Sequence, residues 1–302
     1  MENVIAAGLT SVVVVAADSG TELEDCAQRV LASSAPVELI VSDNASSDGS
    51  VAALAARWAG DVRLRIVHNG KNLGFGAGCN RGAAVASGDA LLFLNPDCRL
   101  EADTLARLRA YADADARIGL IGASIIDAAG VAEPASRRRD PLLRRALMTL
   151  TGLARFESRW PALAGVTIPP RDGAVALEEV EAVSGALMFL PGAAFERVGG
   201  FDEAYFLHCE DLDLCRRVRN AGLRVVCAND VPVVHLKGTS SRSRPVFVAR
   251  HKHRSMWRWF VKFDPVACNP ALRTLVWCGL WAHFLGLMPR YAWFALRARN
   301  QR

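Results

Sequence analysis

The feature that most restricts the fold is a series of short apolar runs separated by helix-length stretches, repeated across the first ~125 residues. Residues 9–17 (LTSVVVVAA) form a valine-rich run too short for a helix, and VELIVSDNAS (37–46), VRLRIVHN (62–69), ALLFLNPD (90–97) and IGLIGASII (118–126) follow it. β-Branched residues in runs of this length predict strands, buried for the valine-rich runs, while VRLRIVHN is read as a strand from its clean alternation. Between them, residues 22–33, 46–58 (SSDGSVAALAARW) and 101–115 predict helices, and 74–87 (GFGAGCNRGAAVAS) predict a glycine-rich turn followed by a short helix closed by Gly88. Strand and helix in strict alternation predict βαβ units and a sheet that is mostly parallel, with ligands expected outside the carboxyl ends of the strands. Two of those ends carry acids, at Asp43 and Asp97.

The alternation stops at residues 131–178, where EPASRRRDPLLRRALMTL and GVTIPPRDG are rich in arginine and proline, so an insertion or flexible lobe, a candidate substrate lid, is expected there. A strand is expected again over 180–190 (VEAVSGALMFL). A helix ending at Gly222 follows, and then a last strand region, LRVVCANDVPVVH, with a polar loop, LKGTSS, after it. The eight cysteines contain no C-x-x-C pair, which reads as reduced packing residues in a cytosolic protein rather than a zinc or disulfide framework. No basic-apolar-small leader pattern precedes the first strand. Net charge is +5, yet residues 236–302 hold 13 Lys and Arg against one acid, Asp264, leaving the rest at −7. An acidic body with a basic tail predicts a separate partner for the tail, and the acidity of the body argues against nucleic acid.

No G-x-x-x-x-G-K-[ST] is present, and the glycines at 74, 76 and 78 do not complete G-x-G-x-x-G, so neither a P-loop nor a dinucleotide-binding fingerprint is expected. Asp43 and Asn44 suit either a turn or recognition of a nucleoside. Asn95 and Asp97 suit either a turn or a hard cation beside a diphosphate. In Glu210-Asp211-x-Asp213, Asp213 pairs at i, i+4 with Arg217 as a surface pair would, whereas Asp211 follows the aromatic segment YFLHC and suits a general base. His235 ends an apolar run, where it serves either as structure or as a metal ligand.

Taken together, VSDNASSDGS (41–50), NLGFGAGCNRG (72–82), LLFLNPD (91–97), VSGALMFLPGAAFERVGGFDE (183–203), EDLDLCRRVRNAG (210–222) and VVHLKGTSS (233–241) resemble family 2 glycosyltransferases in order and spacing. The N-P-D turn is similar to that of the rhamnosyltransferase-like subgroup. The resemblance implies a GT-A fold, an α/β architecture with a Rossmann-like mixed sheet flanked by helices, over residues 8–241. The variable lobe at 131–178 then lies on the acceptor side, and 242–302 form a basic, tryptophan-rich helical extension. It implies an inverting, metal-dependent transfer of a sugar, dTDP-L-rhamnose being the subgroup's suggestion, from a dTDP- or UDP-linked donor to a glycan or polyprenyl-linked acceptor. Asp43, Asn44, Asn72, Gly74 and Asn95 would lie along the donor. Asp97 and His235 would hold Mg²⁺ or Mn²⁺, Asp211 would be the base, and Gly185 and Glu210 would face the acceptor. The first strand departs from the family pattern, ending in Ala16-Ala17-Asp18, and one acid alone remains in the metal motif. The alternatives are a nucleotidyltransferase on a similar sheet, which would carry a basic phosphate loop where AADSGTELED is acidic, and a non-catalytic carbohydrate-binding protein.

Five of the seven tryptophans fall between Trp257 and Trp293, among arginines and lysines. The apolar run 275–288 is shorter than the ~20 residues a spanning helix needs. Tryptophan beside basic residues predicts peripheral contact with the inner face of the plasma membrane through 250–302, with core packing or an oligomer interface as the other outcomes.

Overall fold

The computed structural model describes residues 5–169, 175–236 and 245–299, with side chains to 291. The polar loop expected at 237–241, part of the 131–178 lobe, and the side chain of Trp293 lie outside the described residues.

Four parallel strands form the first half of the sheet: β1 (Ala6–Ala16), β2 (Val37–Asp43), β3 (Leu64–His68) and β4 (Gly88–Leu94). Helices α1 (Glu22–Leu31), α2 (Ser50–Arg57) and α3 (Phe75–Ala83) connect them. The second half comprises β5 (Cys98–Arg99), β6 (Ile118–Ile126), β7 (Leu177–Glu179), β8 (Leu187–Pro191) and β9 (Arg224–His235). The order is β3-β2-β1-β4-β8-β6-β9-β5, with β7 on β9. Because β8 is antiparallel to β4 and β6, the sheet is mixed.

Alternation within β1 explains why its run is apolar throughout. Val12 and Val14 face a core with Leu23, Val30, Leu105 and Leu108, the last two from α4 (Thr104–Ala114). Val13 and Val15 face a second core with Cys79, Phe93 and Val218. Each such valine or leucine contributes roughly 1.5–3 kcal/mol of burial. Helix α3 lies unusually close to β1. A Cβ on Gly78 would meet Val15 Cγ1 at 2.8 Å, and one on Gly82 would collide with Val13, so the small residues of this helix bring its backbone down onto the sheet.

Three expectations need correction. The strand expected over 180–190 begins only at Leu187, because Val183–Ala186 lie outside the sheet ladders and turn at Gly185. The start of the 131–178 region is no flexible lid: Glu133, Ser136, Arg137 and Asp140 are buried, and Arg138 exchanges backbone hydrogen bonds with Ala182. Asp213 is no surface residue either. It is fully buried on α7 (Glu210–Asn220), which follows the short helices α5 (Leu143–Leu150) and α6 (Gly192–Arg197), and pairs with both Arg217 and Lys262.

The C-terminal region is two helices, α8 (Pro245–Phe263) and α9 (Pro270–Arg299). Trp259 of α8 is buried in the second core, and Arg258 and Lys262 pair with Asp202, so part of the basic tail finds its partner in the acidic body. Helix α9 exceeds the apolar run read from the sequence: Pro270–Tyr291 is long and apolar enough to cross a membrane by length and composition. Along its first half, however, α9 packs on the charged helix α8, through His253 Nε2 to His283 Nδ1 at 2.9 Å and Arg273 over Trp257 at 5.7 Å. Crossing a bilayer there would drag Arg250, Lys252 and Arg254 into hydrocarbon, at a cost of several kcal/mol on any scale. What α9 offers is an outward apolar face with Leu275, Trp277, Cys278 and Leu285 exposed.

Candidate functional site

The site residues gather at the carboxyl end of the parallel strands. Asp43 closes β2, buried, with Oδ1 accepting from Ser46 N–H at 2.8 Å and Oδ2 3.0 Å from His68 Nδ1. Burial pushes its pKa up, but the Ser46 N–H and His68 outweigh that and hold it below the usual carboxylate range. His68, at the end of β3, carried no sequence signal beyond closing a strand beside Asp43. Asn44 points its amide inward, with Nδ2 donating to the Gly74 carbonyl at 3.1 Å and Oδ1 accepting from Asn69 at 2.9 Å. Asn72 Oδ1 in turn accepts the Gly74 N–H at 2.9 Å. Gly74 has φ +89°, and a Cβ there would collide with the Phe206 carbonyl, which accepts the Phe75 N–H at 3.0 Å. Asn44, Asn72 and Gly74 therefore act together to fasten the start of α3 between the end of β2 and the 206–208 segment.

Asp97 and His235 meet through strand register. β5 pairs antiparallel with β9, setting Cys98 opposite His235. This places His235 Nε2 3.2 Å from Asp97 Oδ1 and 3.4 Å from Asn95 Nδ2. The other ring nitrogen, Nδ1, lies 3.1 Å from Oε1 of Glu133, a buried residue with no motif around it in the sequence. Burial alone would lower the His235 pKa, but Asp97 and Glu133 on its two sides raise it above the ordinary value. Cys98 also lies near this pair. Its buried thiol donates to the Ala186 carbonyl at 3.4 Å, and burial, with Asp97 nearby, pushes its pKa well up, so it remains a thiol. One carboxylate and one imidazole suit a hard or borderline divalent cation that takes its remaining ligands from a diphosphate.

Asp211 stands on the first turn of α7, and Gly185 is its floor. The Gly185 N–H donates to Asp211 Oδ2 at 3.1 Å, and a Cβ on Gly185 would lie 3.3 Å from that oxygen. Arg138 pairs with the same oxygen and with the Val183 carbonyl. Burial raises the Asp211 pKa, but Arg138 more than offsets it and keeps the group a carboxylate. Glu210, its neighbour, is buried against Gly76, with Oε2 lacking a protein partner; burial and the Asp211 charge push its pKa well up. His208 and Cys209, just before α7, both have positive φ (67° and 64°). Left-handed geometry at two consecutive non-glycine residues costs about 1–3 kcal/mol each, and it swings the chain so that α7 starts at the cleft.

One dipeptide joins the two halves of the site. Ala186 accepts the Asn95 N–H at 2.9 Å, while Gly185 donates to Asp211. The Asn95–Asp97 turn and the Asp211 carboxylate are thus held by adjacent residues of one strand entry. Sequence reasoning found both acids but missed Arg138 and Glu133, whose partners lie 73 and 102 residues away.

A family model described as "Glycosyl transferase family 2" matches residues 11–160. An N-acetylglucosaminyl-diphospho-decaprenol L-rhamnosyltransferase of Mycobacterium tuberculosis is 30% identical over 271 residues, 82% of this chain and 86% of that protein. Rhamnosyltransferase WbbL of Escherichia coli is 28% identical over 202 residues, 62% of this chain and 68% of that protein. Among solved structures, a mannosyltransferase from Pyrobaculum calidifontis in complex with GDP-Man and Mn²⁺ superposes with a TM-score of 0.58 at 18% identity, covering 96% of this chain and 79% of that one.

Proposed function

The chain belongs to glycosyl transferase family 2, and on that premise we propose that it moves a sugar, L-rhamnose first among candidates, from a nucleoside diphosphate to a polyprenyl-linked glycan. The reading rests on the shared dipeptide: Gly185 and Ala186 hold a general-base candidate and a diphosphate-side turn next to each other. Asp43, with His68 beside it, would take the nucleoside, and the Asn44–Asn72–Gly74 lock would form the wall along it. Asp97 and His235 would hold Mg²⁺ or Mn²⁺, which when bound stabilises the leaving diphosphate as a Lewis acid.

Asp211 accepts the proton of the acceptor hydroxyl as its oxygen bonds to the anomeric carbon. The bond from that carbon to the diphosphate oxygen breaks, and the electron pair leaves with the diphosphate. A single displacement inverts the anomeric centre. Arg138 keeps Asp211 ionised and aimed, and Gly185 leaves room for the carboxylate. Glu210, the acceptor-side residue expected from the sequence, instead packs against Gly76 of α3 and is buried. The outward face of α9, with the exposed cations of α8 beside it, would rest on an anionic leaflet at the cytoplasmic face, where a polyprenyl-linked acceptor resides.

Asp211→Asn tests the base. Transfer should fall about 10²–10⁴-fold, with nucleoside diphosphate binding retained; near-normal turnover would remove Asp211 from the mechanism. A thermal-shift panel of dTDP-, UDP- and GDP-sugars with and without Mn²⁺ tests donor and metal together, since a ligand that binds only the native state raises the melting temperature.

A further inference from the structure

An imidazole presents a metal with one lone pair, and the partner of its other nitrogen decides which nitrogen that is. In His235 the two nitrogens face different carboxylates. Nε2 lies 3.2 Å from Asp97, at the diphosphate side, and Nδ1 lies 3.1 Å from Glu133, on the protein side. Glu133 is rigidly held. Its N–H donates to the Ile125 carbonyl at 2.8 Å, its carbonyl accepts the Ser136 N–H at 3.0 Å, and the buried Ser136 hydroxyl bonds Ile125 at both backbone groups. Ile126 at the end of β6 is in register with Val234 of β9, so the sheet itself fixes the spacing between Glu133 and His235.

Resting on the metal reading above, we propose that Glu133 is a positioning residue for the metal site: it accepts the Nδ1–H of His235 and thereby turns the Nε2 lone pair toward Asp97 and the cation. Nothing about Glu133 requires contact with donor or acceptor. Its work is to choose the tautomer, fix the ring plane and add negative charge behind the ring, which strengthens the nitrogen as a ligand. The residue that completes the metal site thus comes from the start of the arginine-rich insertion, and the insertion and the last strand of the sheet are joined at one imidazole.

The test is Mn²⁺ titration of the full chain by EPR at fixed dTDP or UDP, with near-UV circular dichroism as the control for folding. Glu133→Ala should weaken Mn²⁺ binding about 10–100-fold. Glu133→Gln, whose amide oxygen still accepts the Nδ1–H, should recover part of that loss, and His235→Ala should bind weakest. A role in packing alone predicts lower melting temperatures with unchanged Mn²⁺ affinity. If folded Glu133→Ala binds Mn²⁺ within twofold of the parent while His235→Ala does not, the role given to Glu133 is overturned and the metal reading stands. If the parent takes up no Mn²⁺ with either nucleotide, both are overturned. Should Glu133→Ala fail to fold, Glu133→Gln decides: an affinity reduced several-fold supports the proposal and an unchanged one overturns it.

Discussion

Two arginine-rich stretches look alike as sequence and behave as opposites. In Arg137-Arg138-Arg139-Asp140 every charge has its own partner in the body. Arg137 donates to Asn229 at 2.9 Å, Arg138 pairs with Asp211, Arg139 reaches Glu157 at 3.2 Å and the Gly165 carbonyl at 3.0 Å, and buried Asp140 takes Arg216 and Arg219. In α8, Arg258 and Lys262 pair with the body, but Arg250, Lys252 and Arg254 stay exposed without an ion pair among the described residues. Composition counts charges; acids supplied by distant elements decide whether those charges build a site or face outward.

The sharpest way to break this contrast is Arg138→Met. Removing one partner of a buried pair costs about 3–5 kcal/mol, read by urea unfolding. The pH dependence should change as well. Asp211 is depressed in the folded protein, so the pair's stabilisation is present above the unfolded carboxylate value and is lost as pH falls through the lower folded value. Without Arg138, the acid limb of the rate profile should move to higher pH. An unmoved limb would mean that Arg138 does not control the base.

Next comes the outward-facing set. Replacing Arg250, Lys252 and Arg254 together with glutamine should leave unfolding within about 0.5 kcal/mol. Partition onto anionic vesicles should weaken by about 2–3 kcal/mol, at roughly 1 kcal/mol per charge, with most of it from Arg250 and Arg254, which share one face of α8 at i, i+4, while Lys252 lies on the other side toward His208. Equal partition of parent and variant would end the membrane role for this face. Asp140→Asn should cost about 2–3 kcal/mol, less than Arg138→Met, because Arg216 and Arg219 are partly exposed and retain water. The smallest effect belongs to Arg258→Gln. Its pair with Asp202 is half in solvent, Lys262 remains to hold that carboxylate, and the loss should stay below about 1 kcal/mol.

The first half of the sheet was legible because each of its strands is a local object. Val12–Val15 are apolar whichever helix covers them, and a strand followed by a helix signals itself within thirty or so residues. Asp43, Asp97 and His235 were legible for the same reason, as polar residues closing apolar runs. Arg138 and Glu133 were not, since nothing within ten residues of either distinguishes a buried partner from a solvated charge. Trp259 misled in the opposite sense. Beside Arg258 and Met256 it looks like an interfacial tryptophan, yet it fills the core under α7. Asn95 was read as a donor-side residue or a turn; its amide lies 3.4 Å from His235 across 140 residues of chain.

That separation has a consequence for synthesis. β9 is made last yet slots between β6 and β5, both finished long before it. At about 5–20 residues per second, the emerging Asn95–Asp97 turn waits on the order of ten seconds for the strand that carries His235. During that interval neither core can close, since Val226 and Val233 of β9 belong to the first and Val225 and Cys227 to the second. A chain arrested before its final strand would therefore lack both finished cores as well as the imidazole beside Asp97, so the fold and the Asp97–His235 pair are completed in the same late step.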